Sequence, residues 1–245
     1  MNRQAQAVVL LLLGGAVLRA SVTDLYLRYV KEGLRPFLIA AGLLLVVAAI
    51  MTLWYELRPP APRALAPTGE PATDHDGHGH HEPRVGWLLI LPVLGLLLVA
   101  PPALGSYAAS QAGTALNAPQ QSDYPPLPDG DPAPVSVLDY AARALFDRGA
   151  SIGDRRVLLT GFLATGEDGQ PILARMVLSC CAADGRPVKL GLTGDVPAGL
   201  PNDSWVEVVG RYSDRIGRDP VNDAEIPYLQ VESWRQVPTP KRQYE

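Results

Sequence analysis

The stretch from Phe37 to Trp54, FLIAAGLLLVVAAIMTLW, contains eighteen residues and no charged side chain. About 20 apolar residues are needed to cross a hydrocarbon core of about 30 Å. Trp54 ends the stretch, at the depth where an amphipathic aromatic ring prefers to lie. The stretch therefore predicts a transmembrane helix.

Two further apolar stretches flank this one. Val85–Leu104 is also uncharged, whereas Ala5–Leu18 is shorter and spans a membrane only if the helix continues past Arg19. The alternative for Ala5–Leu18 is a signal peptide with Arg3 as its basic start. Arg19 and Asp24 interrupt the region where a cleavage site would lie, which favours an uncleaved span. We therefore predict an α-helical membrane anchor of about three transmembrane helices.

Charge divides the chain into two different halves. Residues 1–122 carry fifteen charged side chains, and residues 123–245 carry thirteen Lys or Arg and eighteen Asp or Glu, a net charge of −5. A nucleic-acid partner is disfavoured because such binding needs a basic surface. Two cysteines exclude a disulfide scaffold. We expect a multi-pass protein of the cell membrane, with residues 1–104 in contact with the lipid bilayer and a soluble domain after them.

The flanking charges bear on the orientation of this anchor. The segment between the first two stretches carries four basic residues, which favours a cytoplasmic position for it. The segments that would lie on the other side of the membrane, residues 1–4 and 58–84, also carry four basic residues in total. The number of basic residues therefore favours neither orientation. Arg84 precedes the third stretch, and the next basic residue is Arg143. This asymmetry favours an extracytoplasmic C-terminal domain and a cytoplasmic second loop.

The second loop, residues 58–84, is rich in Pro, Ala and Gly and holds every histidine of the chain. These are His75, His78, His80 and His81. Imidazole binds zinc, copper and nickel, and glycine lets a backbone fold around an ion. The tract therefore predicts capture of a transition metal, and the alternative is a solvated linker.

Residues 105–134 contain six prolines and predict a Pro-rich spacer. Residues 135–245 predict a soluble α+β domain, which begins with a helix capped by Ser136 and ended by Gly149. Five short strands separated by turns follow, and they indicate a small, mainly-β, OB-like barrel. The predicted strands are Val157–Ala164, Ile172–Cys180, Val188–Leu192, Trp205–Tyr212 and Ile226–Trp234.

Both cysteines lie in Ser179–Asp184, SCCAAD, after a predicted strand and before a turn. Neighbouring side chains of a strand point to opposite faces. If the strand ends here, however, both sulfurs and the Asp184 carboxylate can converge on one ion such as zinc. A vicinal disulfide and simple core packing of Cys180 and Cys181 are the alternatives. Arg175 or Arg186 would lower the pKa of a thiol if either approached it.

No enzymatic motif is found in the soluble half. It has no histidine, so Ser-His and Cys-His nucleophilic schemes are absent there. Four acidic residues lie between the last two predicted strands, and we expect them to form a solvated loop. They are Asp214, Asp219, Asp223 and Glu225.

Three pieces of sequence carry a resemblance to a known family: Tyr29–Pro36 (YVKEGLRP), Arg175–Asp184 (RMVLSCCAAD) and Trp205–Gly210 (WVEVVG). Over nearly its whole length the chain resembles the YcgQ-like family of uncharacterised bacterial membrane proteins, which are assigned as permease subunits. The Cys-Cys-x-x-Asp piece is the most specific. The resemblance implies pairing with a larger polytopic permease, a link to zinc handling, and a site at Cys180, Cys181 and Asp184.

These observations lead us to expect a non-enzymatic accessory subunit of a membrane permease that handles a transition metal. Two alternatives belong to other classes. One is a membrane-anchored enzyme that depends on a thiol or a metal, and the other is a purely structural interaction module.

Overall fold

The computed structural model describes residues 3–58, 91, 94–95, 98, 102–116, 124–166 and 169–245. The chain divides into two compact units. One contains Met1–Asp24 and Gly33–Pro101, and the other contains Leu25–Glu32 and Pro102–Glu245. The second unit therefore includes eight residues from between the first two apolar stretches.

The first unit contains helices α1 (Arg3–Val22) and α2 (Arg35–Leu57). Both are long and apolar enough to cross a membrane. The helices approach closely at Gly14 and Gly42, where an added Cβ would lie 2.9 Å and 2.8 Å from a side chain of the facing helix. Small residues allow such close packing between membrane helices.

The predicted third span, Val85–Leu104, lies mostly outside the described residues. Four of its positions, residues 91, 94, 95 and 98, are described as helical and exposed. Two candidate membrane helices are thus described, and a third stays a prediction.

The second unit contains a five-stranded closed barrel. A sixth, two-residue strand, β1 (Ala133–Pro134), pairs in parallel with the start of the first barrel strand. The barrel strands are β2 (Val157–Thr165), β3 (Pro171–Val177), β4 (Arg186–Gly194), β5 (Trp205–Arg218) and β6 (Glu225–Gln236). Their order is β2-β3-β4-β6-β5, and β5 pairs back onto β2. Among the five barrel strands as the structure describes them, β4 and β6 form the one parallel pair, and this small closed barrel fits the predicted OB-like domain.

Local sequence features account for the curvature of the barrel. Gly161 lies where a Cβ would come within 2.7 Å of the Ala174 carbonyl oxygen on β3. The β5–β6 register shifts at Val209/Gly210 and again between Ser213 and Ile216. Because bulges bend a strand and increase its twist, the fourteen-residue strand β5 can pair with both β2 and β6.

The five predicted strands are all present, but some of their ends differ. The second ends at Val177 rather than Cys180, and the fourth continues beyond Tyr212 to Arg218. The first difference matters most, because it places both cysteines beyond the end of a strand.

Helix α3 (Ser106–Gln111) and helix α4 (Val137–Phe146) both pack on the barrel. Helix α4 contacts all five barrel strands. The Ser136 hydroxyl accepts a hydrogen bond from the Asp139 N–H at 3.0 Å, as the predicted cap requires. The Glu245 carboxylate accepts the N–H groups of the first two residues of α4, so the last residue of the chain holds the start of this helix.

The prediction of a spacer over residues 105–134 is wrong for its first part. Residues 105–116 lie on the barrel instead, with Ala109 only 1% exposed. The Asp203 carboxylate accepts hydrogen bonds from the Ser106 N–H and hydroxyl at 2.6 and 2.8 Å. A barrel loop therefore supplies the carboxylate that holds the start of α3 in place.

A buried ion pair joins this segment to β4 and to the β5–β6 hairpin. Lys189 Nζ lies 2.9 Å from Asp219 Oδ2, and the two side chains are 4% and 0% exposed. The same oxygen accepts the Thr114 N–H at 2.7 Å. The expectation of a solvated loop is thus wrong for Asp219. Asp214, Asp223 and Glu225 are exposed as expected, but Asp214 lies in β5 and Glu225 begins β6, so only Asp223 lies in the loop itself. The sequence could not show this, because the partner residue is thirty positions away.

Replacing Asp219 by alanine should destabilise the barrel by about 3–5 kcal/mol, because it leaves the Lys189 ammonium buried without a counter-charge. Denaturant unfolding of the detergent-solubilised protein, followed by tryptophan fluorescence, measures this change. Asp214→Ala is the matched control and should change the free energy of unfolding by less than about 0.5 kcal/mol. Equal effects of the two substitutions would contradict the role given to the ion pair.

Candidate metal centre

The candidate site lies between strands β3 and β4. Strand β3 ends at Val177, the chain bends at Ser179 and Cys180, and a 3₁₀ turn spans Ala182–Asp184. Because the strand has ended, the two cysteine side chains do not alternate between opposite faces. The sulfurs and the carboxylate converge, as the sequence predicts for a strand that breaks here.

The Asp184 carboxylate organises this turn. One oxygen accepts the Ser179 N–H at 2.8 Å, and the other accepts the N–H groups of Cys180 and Cys181 at 2.8 and 3.2 Å. The Cys180 thiol also donates to that second oxygen, with Sγ and Oδ2 2.9 Å apart. The Cys181 sulfur in turn accepts the Asp184 N–H, which completes a reciprocal cap of the 3₁₀ turn.

The geometry decides between the alternatives considered for the cysteines. Cys180 is exposed and Cys181 is half-buried, so neither belongs to the core. The two sulfurs lie 3.7 Å apart, and both thiols are free. A disulfide requires about 2.05 Å. The structure therefore contains an accessible pair of thiols next to a carboxylate.

The pKa of the Cys180 thiol is raised rather than lowered. The hydrogen bond to the Asp184 carboxylate, and then that to Cys181, raise the pKa of the Cys180 thiol to about 11. Neither Arg175 nor Arg186 contributes to this shift, so the condition set for a lowered thiol pKa is not met at Cys180. Arg175 instead lies 4.7 Å from the centroid of the Trp205 ring and donates to the Arg242 carbonyl at 2.8 Å.

The pKa of Asp184 is held well below its usual range, first by the Cys180 thiol and then by the backbone N–H groups of Cys180 and Ser179. A depressed carboxyl pKa stabilises the folded turn above the ordinary carboxyl pKa. That contribution is lost as the pH falls through the depressed value. The turn is therefore fully supported at neutral pH.

The three side chains together suit a thiophilic metal ion. Their ligand atoms all lie within 4.8 Å of one another. Two thiolates on a tetrahedral zinc ion, with Zn–S bonds of about 2.3 Å, lie about 3.8 Å apart, close to the sulfur separation seen here. Three donors leave one position of a tetrahedral ion for water or for another ligand.

The segment Leu25–Glu32 lies against this site within the second unit. Val30 forms an antiparallel bridge with Cys181. The Lys31 N–H donates to the Cys180 carbonyl at 3.0 Å, and the Ala182 N–H donates to the Tyr29 carbonyl at 2.7 Å. These bonds hold the backbone on both sides of the cysteine pair.

The C-terminal residues hold the same segment from the other side. Arg242 pairs with Glu32 at 2.8 Å, and the Tyr244 hydroxyl donates to the Arg28 carbonyl at 2.8 Å. Sequence reasoning missed Tyr29–Lys31 as a supporting element. The signal available was the quoted YVKEGLRP piece, which contains these residues but gives no indication of what they contact.

The predicted ligands His75, His78, His80 and His81 lie outside the described residues. The structure therefore brings together Cys180, Cys181 and Asp184, and the metal role of the histidine tract stays a prediction.

Comparisons with known proteins concern the barrel. Residues 147–245 match the family described as the DUF1980 C-terminal domain. This range contains strands β2–β6 and the Cys180–Asp184 turn, and the match supports an uncharacterised family with this domain. No curated protein and no solved structure matches the chain.

Replacing Asp184 by asparagine should increase the alkylation rate of Cys180 by iodoacetamide at pH 8, in metal-free protein, about tenfold or more. The carboxylate favours the protonated thiol, so its removal returns the pKa towards the ordinary cysteine value and raises the thiolate fraction. Mass spectrometry of the labelled peptide measures the rate. Asp195→Asn, at an exposed carboxylate outside the site, should leave it unchanged, and an unchanged rate in Asp184→Asn would refute this account.

Proposed function

We propose that this protein is a membrane-anchored accessory subunit of a larger polytopic permease and that it handles a transition metal, zinc being the best fit. The observation that carries the proposal is the convergence of two accessible thiols and one carboxylate in the Cys180–Asp184 turn. Thiolate ligands select zinc and copper(I) over hard cations such as magnesium.

The incomplete donor set favours transfer of a metal over its permanent storage. Structural zinc sites are closed by four protein ligands, whereas this turn supplies three. The remaining position is accessible, because Cys180 is exposed. A donor from a partner protein can therefore complete the coordination, as a subunit that passes an ion to a permease requires.

The same arrangement gives less support to a thiol-dependent enzyme. A nucleophilic cysteine needs a lowered pKa, and the pKa of Cys180 is raised. The soluble half also has no histidine to act as a base. Metal binding gives a role to both thiols and to the Asp184 carboxylate, whereas thiol catalysis leaves the carboxylate without one.

The chain order supports a third membrane crossing. Leu25–Glu32 connects α1 to α2 and packs in the same unit as the barrel. If both helices cross the membrane, this segment and the barrel lie on one side. The chain then has to cross back between Arg58 and Pro102, and Val85–Leu104 is the uncharged stretch available for it.

This topology places the histidine tract on the side opposite to the Cys180–Asp184 turn. We propose that the barrel is extracytoplasmic, on the basis of the basic flank at Arg84, and that the tract faces the cytoplasm. The two sets of ligands would then meet the metal separately, on either side of the membrane.

The detergent-purified protein should bind one thiol-dependent metal ion at the turn. The double variant Cys180→Ser/Cys181→Ser should lose that ion because both thiolate donors are removed, whereas Ser179→Ala, which removes a neighbouring hydroxyl, should keep it. Metal analysis by mass spectrometry after dialysis against zinc measures the stoichiometry. Equal metal content in all proteins would disprove metal binding at this turn.

The histidine tract can be tested in the same measurement. A variant with all four histidines changed to alanine should lose metal beyond that held by the cysteine pair, since the imidazole donors are removed. An unchanged metal content in this variant would assign the tract to a solvated linker.

Reporter fusions should report opposite sides of the membrane at two positions. A periplasmic-type reporter after Glu245 should be active, and the same reporter inserted after Pro67 in the second loop should be inactive, because an odd number of crossings separates the positions. A cytoplasmic reporter at the same two positions is the control and should give the reverse pattern. The same activity at both positions would rule out a third crossing.

A further inference from the structure

The two cysteine side chains are placed to react with each other. They are the only cysteines of the chain, so each has the other as its one possible disulfide partner within the molecule. Cys180 is exposed and Cys181 is half-buried, and their sulfurs lie 3.7 Å apart. Reaching a disulfide bond of about 2.05 Å therefore requires a movement within the turn.

Closing this bond acts on the peptide group between the two residues. The Cα atoms of adjacent residues are about 3.8 Å apart, whereas disulfides usually join Cα atoms that are about 4.4–6.8 Å apart. The ring that forms also contains the Cys180–Cys181 peptide group itself. We therefore expect this peptide group to turn when the sulfurs join, and the resulting disulfide to be strained.

Two hydrogen bonds hold that peptide group in its present orientation. Its carbonyl oxygen, on Cys180, accepts the Lys31 N–H at 3.0 Å. Its N–H, on Cys181, donates to the Asp184 carboxylate at 3.2 Å. A turn of the peptide group breaks the bond with Lys31, which is one of the backbone bonds that attach Tyr29–Lys31 to the Cys180–Asp184 turn.

The consequence reaches beyond the turn, because Leu25–Glu32 lies between helices α1 and α2 along the chain. The antiparallel bridge of this segment joins Val30 directly to Cys181. The state of the two sulfurs therefore sets how firmly the segment is held. Such coupling is reciprocal: if the disulfide loosens the segment, then loosening the segment favours the disulfide.

A strained disulfide between adjacent residues is suited to reversible change. Strain makes a disulfide easier to reduce, and labile disulfides are the regulatory or catalytic ones, whereas structural disulfides resist reduction. Oxidation also removes both thiolate donors of the turn, since the thiolate is the form of cysteine that binds a metal ion.

We propose that Cys180 and Cys181 form a reversible oxidation site, at which a small-molecule disulfide converts the two thiols into a vicinal disulfide and thereby loosens Tyr29–Lys31 from the turn. The oxidation itself stands on the geometry of the turn. Release of a metal ion by the same oxidation rests on the proposed function.

The reaction consists of two thiol–disulfide exchanges. The thiolate of one cysteine attacks a sulfur of oxidised glutathione, which forms a mixed disulfide and releases one molecule of reduced glutathione. The thiolate of the other cysteine then attacks the protein sulfur of that mixed disulfide, forms the vicinal disulfide and releases the second molecule. The two protein sulfurs give up two electrons to glutathione, and the two thiol protons end on the released glutathione thiols.

Mass spectrometry of the metal-free, full-length protein in detergent tests the oxidation, after equilibration with oxidised glutathione and labelling with N-ethylmaleimide. The wild type should lose two hydrogen atoms and carry neither glutathione nor label, and excess reduced glutathione should restore both thiols. Cys180→Ser and Cys181→Ser should each stop at a mixed disulfide, because one thiol remains. A wild-type protein that stays reduced or retains glutathione would overturn the proposal.

Hydrogen–deuterium exchange measures the loosening. Peptides that cover Leu25–Glu32 should exchange about tenfold or more faster in the oxidised protein than in the reduced one. Peptides that contain Val135, whose N–H donates to the Leu158 carbonyl at 3.0 Å away from the turn, should exchange equally in both. Unchanged exchange over Leu25–Glu32 would show that the disulfide does not act on the segment, and the proposal would fail.

Lys31→Pro tests the link in the reverse direction. It removes the N–H that holds the Cys180 carbonyl, so the equilibrium constant for disulfide formation with glutathione should rise about fivefold, in line with the loss of one backbone hydrogen bond. Lys31→Ala keeps that N–H and is the matched control, which should have the wild-type constant. Equal constants in the wild type and in Lys31→Pro would contradict the coupling.

A comparison with zinc separates this inference from the proposed function. If the turn binds zinc, saturating zinc should lower the extent of oxidation, because both thiolates are then occupied. Equal oxidation with and without zinc would count against the metal centre, whereas the mass and exchange results would still support the oxidation site.

Discussion

The pairing of β5 with β2 is the contact on which the rest of the soluble unit depends. Six residue pairs, from Val157 with Gly210 to Phe162 with Trp205, close the sheet into a barrel. Closure removes the open edges that an isolated sheet would expose. It also requires β5 to bend twice, at the register shifts that allow one long strand to pair with two neighbours. The connections between strands are thereby held at defined positions, including the turn that carries the cysteines and the β5–β6 hairpin that carries Asp219.

The cysteine turn combines local and distant constraints. Locally, Asp184 gathers three backbone N–H groups and one thiol. At a distance, Tyr29–Lys31 and the C-terminal residues hold the surrounding backbone, with the Leu178 N–H donating to the Glu245 carbonyl at 3.0 Å. The proposed metal donors thus depend on segments from three separate parts of the chain.

Sequence patterns predicted the elements better than their roles. The apolar runs predicted α1 and α2, and alternation with turn residues predicted all five barrel strands, because these signals are local. The convergence of Cys180, Cys181 and Asp184 was predictable only as one of several outcomes, since it required knowing where β3 ends. The burial of Asp219 and the docking of residues 105–116 were not predictable. Both depend on residues far apart in the chain, namely Lys189 and Asp203, and a polar, Pro-rich composition is typical of an exposed spacer.

The sequence by itself determined an apolar N-terminal half, an acidic C-terminal half, the candidate metal ligands and the type of each barrel strand, because composition and periodicity are properties of neighbouring residues. Only the tertiary structure decided that the cysteines are accessible and free, that Leu25–Glu32 belongs with the barrel, and that Asp219 is buried against Lys189. Each of these depends on which distant segments meet when the barrel closes. The burial of a side chain and the pKa of a thiol depend on which distant segments are in contact with them, and not on the residue types alone.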